Sequence, residues 1–245
     1  MEVHHHGHVN HDKKWRQYLF QFFMLFFAVF CGFLAEYKLE KTIEHHREDE
    51  YMASLLQDLR SDTAAFRLAV NRFNNNADII DSIFALLKTG NKSNTTEIYF
   101  KGREVLFAYY RLWYNSRTFD QMKNSGNLRL IRQDNVADSV TTYYQRLKYL
   151  DESRELLNQR HLAVSQNSNL IFDSYILQQM VQRRPYKLVR FDGNPPLMNY
   201  TPQDLNKYLE SLTMMYGLEL VQAKNIEENY LPRTERLIKL IEEKY

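Results

Sequence analysis

Hydrophobic and polar positions recur with helical spacing along most of this chain, except for one unbroken apolar run near its start. That run covers residues 18 to 35, where Gln21 is the single strongly polar side chain and no residue is charged. A run of this length predicts a transmembrane helix rather than a buried core helix. The remaining residues, 36 to 245, return to a mixed pattern that predicts a folded helical part.

The helical pattern continues beyond the apolar run without a helix breaker until Gly90. Apolar side chains then recur every seven residues at Met52, Leu59, Phe66 and Phe73. This spacing predicts an amphipathic stripe of the coiled-coil or bundle type. We therefore expect the transmembrane helix to continue as one rod to about residue 73 or beyond. The Asn74-Asn75-Asn76 run that follows fits either a turn or a helix face.

Two further long helices are predicted in the second half of the chain. An apolar stripe from residue 136 to residue 175 predicts one of them, with a kink near residues 166 to 169. The other begins at Thr201, which suits an N-cap because Pro202 follows it at the first helical position. Pro232 is expected to kink this last helix or to split it in two.

Turn-forming residues predict loops near residues 89 to 101 and 182 to 201. The chain then divides into an N-terminal tail (residues 1–14), a transmembrane helix (15–37) and a helical domain (38–245). The predicted fold class is all-α: a single N-terminal transmembrane helix that continues into an antiparallel bundle of long helices.

Basic and aromatic residues flank the apolar run, as they do at the two edges of a membrane-crossing helix. The flanking residues are Lys13, Lys14, Trp15, Arg16, Tyr18 and Tyr37. Signal cleavage after Ala35 would place bulky Phe33 where a small residue is needed, so a retained signal anchor is the favoured interpretation. These flanks make the lipid bilayer the first expected partner.

Composition excludes several classes of function. Charged residues make up 25% of the chain and hydrophobic residues 44%, which argues against wholesale disorder. The net charge is only +2 and the signs are interspersed, so we expect no nucleic-acid partner. Cys31 is the single cysteine, and an intrachain disulfide is therefore impossible.

The N-terminal tail is rich in histidine. Its histidines are His4, His5, His6, His8 and His11. Imidazole groups at this density can bind Zn, Ni or Cu. Three other interpretations compete: an expression tag, a solvated disordered tail and a weakly basic flank. No cysteine or acidic ligand set accompanies these histidines to define a coordination geometry, and no metal or other cofactor is expected.

Two other features in the predicted domain bear on ligand binding. Residues 103 to 119 are rich in aromatic side chains, which predicts core packing in preference to a ligand platform. His161 lies on the apolar stripe of the third quarter, where a packing role is the favoured interpretation. The sequence contains no His-Glu-x-x-His, Gly-x-Ser-x-Gly or phosphate-loop spacing, so we do not expect an enzyme.

Four short motifs carry a family resemblance that covers residues 13 to about 150. They are Tyr51-Met52-x-Ser54-Leu55-Leu56-x-Asp58-Leu59, Thr118-Phe119-Asp120, Ser125-Gly126 and Tyr143-Tyr144. With the membrane run, this pattern resembles a family of uncharacterised bacterial single-pass membrane proteins. The resemblance implies a membrane-anchored helical domain outside the cytoplasm and supplies no catalytic residues.

The expected location is the bacterial inner membrane. The three basic residues before the apolar run are more closely spaced than Lys38, Lys41 and Arg47 after it, and acidic residues dilute the later group. This difference favours a cytoplasmic N-terminus and a periplasmic C-terminal domain.

The leading functional hypothesis is a membrane-anchored interaction or scaffolding protein. Its protein partner would be a second copy or another membrane protein, bound through helix faces. The alternative is a membrane-tethered sensor or regulator that binds a small ligand or a metal.

Overall fold

A computed structural model describes residues 11–88, 94–108 and 112–245, with side chains from residue 15 onward. The chain divides into two compact units, Met1–Tyr51 and Met52–Tyr245. We call the first the anchor unit and the second the folded unit.

Helices account for nearly all of the regular structure in the described residues, which confirms the predicted all-α fold. The elements are α1 (His11–Lys88), α2 (Thr95–Phe107), α3 (Arg117–Asn124), a 3-10 turn (Asn127–Leu130), α4 (Asp134–Ser168), α5 (Ser174–Gln179), β1 (Val181–Arg183), β2 (Tyr186–Leu188), α6 (Pro202–Asn225), a π-helical turn (Ile226–Tyr230) and α7 (Leu231–Lys244).

Helix α1 is 78 residues long, so the predicted continuation of the helix beyond the apolar run is confirmed. The three consecutive asparagines lie within α1 and form no turn. Their position resolves the two alternatives in favour of a helix face, and Asn76 points into the core of the folded unit. The four residues spaced by seven, Met52, Leu59, Phe66 and Phe73, are all buried.

In the apolar run of the anchor unit, exposed apolar side chains cover the surface of α1. Phenylalanine rings four residues apart stack along one side of the helix, with centroids 6.3 Å apart for Phe22 and Phe26 and 6.0 Å apart for Phe26 and Phe30. This contact follows from helical geometry, because residues i and i+4 lie above one another on the same face. The rings therefore form an exposed row along the helix.

The folded unit is an antiparallel arrangement of long helices. Arg67 of α1 pairs with Glu235 of α7. Nearer the end of α1, Asn76 donates a hydrogen bond to Glu219 of α6. Residue numbers therefore increase along α1 in the direction in which they decrease along α6 and α7, so α1 runs antiparallel to both helices.

Helix α4 runs antiparallel to α6 and α7, since Tyr143 near its start contacts Thr234 of α7 and Asn167 near its end contacts Lys207 of α6. Most of the stripe of apolar residues predicted from residue 136 onward is buried.

One end of the core is organised around three aromatic rings. The ring centroid of Phe172 lies 5.2 Å from that of Tyr99 and 5.5 Å from that of Tyr208. The hydroxyl of Tyr99 accepts a hydrogen bond from the backbone N–H of Asp173 and donates one to the carbonyl of Pro196. Buried tyrosine hydroxyls need such partners, because an unsatisfied polar group in the core is costly.

The loop predicted at residues 89 to 101 is wrong from Thr95 onward, where α2 begins. Residues 89–93 lie outside the described residues. The Asn-Thr-Thr composition indicates a turn, but tertiary bonds override this local preference. The Thr95 and Thr96 hydroxyls donate to the backbone carbonyls of Pro195 and Gly193 respectively, and these bonds tie the start of α2 to a distant segment.

The loop predicted at residues 182 to 201 contains a short antiparallel hairpin that the prediction missed. Val181 pairs with Leu188 and Arg183 pairs with Tyr186. Strands of three residues are too short to show an alternating pattern, and Pro185 favours a loop over a strand in the sequence. The remainder of the segment, residues 189 to 201, has no regular structure, as predicted.

The two predicted interruptions of long helices fall close to their expected positions. Helix α4 ends at Ser168, so the chain breaks there instead of kinking. The last helical region is split by the π-helical turn that ends directly before α7, and Pro232 lies in the first turn of α7. Proline contributes no backbone N–H, and this missing donor favours a departure from regular α-helical bonding.

Two glycines on different helices provide a matched test of this packing. A Cβ atom added to Gly102 in α2 would lie 2.7 Å from Cε2 of Phe172 and closer still to its Cζ. A Cβ atom at Gly217 in α6 meets nothing within 4 Å. We predict that Gly102→Ala destabilises the protein by about 1 to 3 kcal/mol through overpacking. Gly217→Ala should stabilise it by about 0.5 to 1 kcal/mol, because glycine is entropically costly in a helix.

The measurement is denaturant unfolding of the full chain in detergent micelles, followed by circular dichroism. Equal effects of the two substitutions would contradict the packing described for Phe172.

Candidate functional site

Three carboxylate side chains are buried in the folded unit: Asp58 and Asp62 on α1, and Glu219 on α6. A buried charge is costly unless hydrogen bonds or an opposite charge compensate it. The partners of these three groups therefore show what each group can do.

Asp58 accepts hydrogen bonds from the segment at the start of α3. Its Oδ1 atom accepts from Asn115 Nδ2 at 2.7 Å and from Arg117 Nη2 at 3.2 Å. Its Oδ2 atom accepts from the hydroxyl of Thr118 at 2.6 Å and from the Thr118 backbone N–H at 3.1 Å. Ser116, the N-cap residue of α3, makes no capping bond through its own side chain. Asp58 therefore caps α3 from a different helix.

Asp62 lies one helical turn further along α1. It accepts from the backbone N–H of Asn115 at 2.7 Å and from the hydroxyl of Tyr143 at 3.3 Å. The Tyr143 hydroxyl also lies 3.1 Å from the hydroxyl of Thr234 on α7. Burial raises the pKa of Asp62 to about 7, although both hydrogen bonds act in the opposite direction. Burial also raises the pKa of Tyr143 well above its ordinary value, and the nearby Asp62 adds to this rise.

Together the two aspartates connect α1 with α3, α4 and α7. We call this set the aspartate network: Asp58, Asp62, Asn115, Arg117, Thr118, Tyr143 and Thr234. Every hydrogen bond described for it joins groups of the folded unit to one another, which is the pattern of a structural network. Asp58, Thr118, Tyr143 and Tyr144 come from three of the four motifs that carried the family resemblance. The ring of Tyr144 stacks on Phe119 with centroids 4.4 Å apart, so the motifs meet in space.

The aspartates are not among the site residues predicted from the sequence, but the sequence contains a signal for them. A second set of positions spaced by seven runs beside the first one through Leu55, Asp62, Ala69, Asn76 and Ile83. All five residues are buried. A polar residue at such a position must find a partner in the core. Asp62 and Asn76 both find one.

The third buried carboxylate, Glu219, accepts a hydrogen bond from Asn76 Nδ2 at 2.7 Å. Burial raises the pKa of Glu219 to about 7. Beside it lies a cavity of about 10 Å³, which His161 and Phe73 also line. This volume is close to that of a single water molecule, so the site is too small for a substrate.

His161 was expected to be a packing residue, and it is half-buried at this small cavity. Burial lowers the pKa of His161, which favours the neutral imidazole. Glu219 lines the same cavity.

The aromatic residues between 103 and 119 differ in their burial. Phe119 is buried and Tyr114 donates a hydrogen bond to Asp151 at 3.1 Å, whereas Phe107 and Trp113 lie on the surface. Tyr109 and Tyr110 lie outside the described residues. The expectation of common core packing assumed one helix through this stretch. Helix α2 ends at Phe107 and α3 begins only at Arg117, so the expectation is wrong for Phe107 and Trp113.

The remaining candidate residues belong to the anchor unit. Trp15, Arg16, Tyr18 and Tyr37 are exposed on α1 at the two edges of the apolar run. The histidines His4, His5, His6 and His8 lie outside the described residues, as do the side chains of His11, Lys13 and Lys14. Within the described residues, no group of three or more His, Cys, Asp or Glu side chains is placed to hold a metal ion.

Comparisons with models of known protein families, with curated proteins and with solved structures find no match to this chain. The family resemblance of the four motifs therefore stays a prediction.

The raised pKa of Glu219 predicts a pH-dependent effect of Glu219→Gln. Because the pKa is higher in the folded state than in the unfolded state, the contribution of this group to stability is full at low pH. It is lost as the pH rises from about 4.5 to about 7. Glutamine keeps the acceptor for Asn76 and cannot ionise. We expect the gain in unfolding free energy from Glu219→Gln to be about 2 kcal/mol larger at pH 8 than at pH 5.

Denaturant unfolding of the full chain in detergent at the two pH values measures this difference. Glu227→Gln, which changes an exposed carboxylate in the π-helical turn, is the control and should show no comparable difference. A gain from Glu219→Gln that is the same at both pH values would contradict the assignment.

Proposed function

We propose that this protein is a single-pass membrane protein whose helical folded unit acts by interaction with other proteins rather than by catalysis. One observation carries the proposal. The most apolar window of α1 has a mean hydropathy of 2.1 over 18 residues, and none of it is buried within the protein. A buried core helix would hide such a surface, and this one does not.

The dimensions of the window suit a bilayer. Eighteen helical residues extend over about 27 Å, close to the hydrocarbon thickness of about 30 Å. Trp15 and Tyr18 lie at one edge, and at the other edge the Lys41 ammonium lies 5.9 Å from the centre of the Tyr37 ring. Amphipathic aromatic and basic side chains are favoured at the depth of lipid headgroups.

The exposed phenylalanine rows support the same conclusion on energetic grounds. A contiguous apolar surface of this length is unfavourable in water and marks an interaction site for lipid or protein. Lipid satisfies it over the whole circumference of the helix. We place the protein in the bacterial inner membrane with the N-terminus in the cytoplasm and the folded unit in the periplasm. The closely spaced basic residues before the apolar run support this orientation.

The interior of the folded unit supports a role without catalysis. Asp58 and Asp62 are engaged in bonds that hold helices together, and Glu219 borders a cavity with room for about one water molecule. Catalytic carboxylates need access to a substrate, and these three lack it. An interaction role places the functional contacts on the surface, with a second copy or another membrane protein as the partner.

The anchor is tested by the double substitution Phe26→Arg and Phe27→Arg in the full chain expressed in bacteria. Each arginine at the centre of a membrane helix costs about 2.5 to 3.5 kcal/mol. We expect the wild-type protein to resist extraction by alkaline carbonate and to float with membranes in a density gradient, and the double variant to lose both properties.

The matched control is Leu68→Arg with Leu162→Arg, two exposed leucines of the folded unit. This variant adds the same charge and should stay with the membrane. Release of the wild-type protein by carbonate would contradict the anchor. Flotation separates membrane insertion from aggregation, since aggregates sediment.

The interaction role is tested by lysine-specific crosslinking in intact cells at native expression level. Exposed lysines on α3, α4, α6 and α7 (Lys123, Lys148, Lys207, Lys224 and Lys239) sample the surface of the folded unit. We expect a discrete adduct above the 29.5 kDa of the monomer. Mass spectrometry should identify a second copy or one defined protein in it. A protein that stays at the monomer mass under conditions that crosslink other membrane proteins would contradict the proposal.

A further inference from the structure

An open groove lies between α4 and α7 in the folded unit. Two cavities of about 380 and 600 Å³ adjoin there, and they share Thr142, Arg146 and Arg233 as lining residues. Because of this shared wall, we treat them as one depression and call it the arginine groove. Its size falls in the range of sites that bind small molecules.

Three arginines line the groove: Arg146 on α4, and Arg233 and Arg236 on α7. None of them forms a salt bridge with any described residue. Other arginines of the folded unit behave differently, since Arg60 pairs with Glu242 and Arg67 pairs with Glu235. The net charge of the chain is only +2, so this concentration of unpaired positive charge is local.

Arg233 is the most informative of the three. It is half-buried, lines both cavities and has no carboxylate partner among the described residues. Asp138 lines the smaller cavity but makes no salt bridge with any of the three arginines. A partly desolvated guanidinium with free donors favours an anionic partner, because a charged hydrogen bond offsets the lost hydration.

The charges of two of these arginines converge on the same side chain. Burial raises the pKa of Tyr230, and the positive charges of Arg233 and Arg146 oppose that rise. The Tyr230 hydroxyl also lies 3.4 Å from the backbone carbonyl of Arg146 and donates to it. Arg146 and Arg233 thus lie on opposite walls of the groove, and the positive charges of both act on the Tyr230 hydroxyl.

Neutral hydrogen-bonding groups surround the charged centre. Asn225 at the end of α6 and Asn229 in the π-helical turn line the larger cavity, and Asn229 Nδ2 donates to Asn225 Oδ1 at 2.9 Å. Gln145 and Thr142 of α4 line the same cavity. Single π-helical turns within α-helical regions are frequent at functional sites, since the wider turn changes how side chains are presented.

We propose that the arginine groove binds a small phosphate-bearing molecule, with the phosphate group held between Arg146 and Arg233. Guanidinium groups match phosphate oxygens in pairs of parallel hydrogen bonds. A phosphate monoester carries nearly two negative charges at neutral pH, and so it suits several arginines better than a single carboxylate does. The phosphate is either that of a free metabolite or that of a lipid headgroup. This site goes beyond the interaction role proposed above and does not depend on it.

The test is isothermal titration calorimetry on the full chain in a neutral detergent at low salt and pH 7.5. Two probes distinguish the sources of phosphate: pyrophosphate for a free ligand and dioctanoyl phosphatidic acid for a lipid headgroup. We expect at least one of them to bind, and the tighter probe identifies the source. Acetate serves as the carboxylate probe and should bind at least about tenfold more weakly.

The variants Arg233→Gln and Arg146→Gln should each weaken binding of the tighter probe by about tenfold or more. Arg233→Lys keeps the charge but loses the paired donors, and its affinity should be intermediate. Arg60→Gln changes the net charge by the same amount at an exposed position outside the groove, and its Kd should stay within about twofold of that of the wild type.

Circular dichroism confirms that each variant is folded. Should Arg233→Gln unfold, Arg146→Gln carries the test, because Arg146 is exposed on α4 and makes no side-chain bond to the described residues. Absence of binding by both phosphate probes would overturn the proposal. So would equal loss in Arg60→Gln and the groove variants, or acetate binding as tight as that of the phosphate probes.

Discussion

The burial of Asp58 beneath the start of α3 is the interaction on which the arrangement of the folded unit depends. A short helix with no side-chain cap of its own has unsatisfied backbone donors at its first turn, and a carboxylate from α1 supplies the acceptor. Removal of one partner from such a buried set leaves the other uncompensated, which is far more costly than the loss of a surface bond. The position of α3, and with it the stacking of Phe119 on Tyr144, therefore follows from one residue of α1.

Apolar, acidic and basic side chains occupy different parts of this structure. Along the apolar run of the anchor unit the surface is apolar and the side chains have little capacity for hydrogen bonds, so lipid is the environment that fits this run. In the folded unit the carboxylates of the core are paired inward, while unpaired arginines collect in one open groove. Buried polar groups whose hydrogen bonds are satisfied within the protein stabilise the fold, whereas accessible charged groups without a partner can bind a ligand. This contrast points to the surface of the folded unit as the place where ligands and partners act.

Much of this architecture was readable from spacing alone. The residues from Met52 to Phe73 that recur every seven positions are all buried, and the apolar run near the start of the same helix is exposed. Spacing failed where tertiary bonds outweighed local preference: Thr95 begins a helix because residues 193 to 195 accept its bonds and those of Thr96. The arginine groove left no trace in the sequence. Arg146 and Arg233 are 87 positions apart, and only the antiparallel packing of α4 on α7 brings them to one place.

The contact between Gly102 and Phe172 has a consequence for how this protein can change over time. The ring of Phe172 occupies the space that any side chain at position 102 would need. The two positions share one fixed volume, since a close-packed interior tolerates neither excess nor void. A larger residue at position 102 is compatible with the fold only when position 172 becomes smaller. Related chains should therefore vary at these positions in pairs, and such a covarying pair would identify the α2 contact from sequences alone.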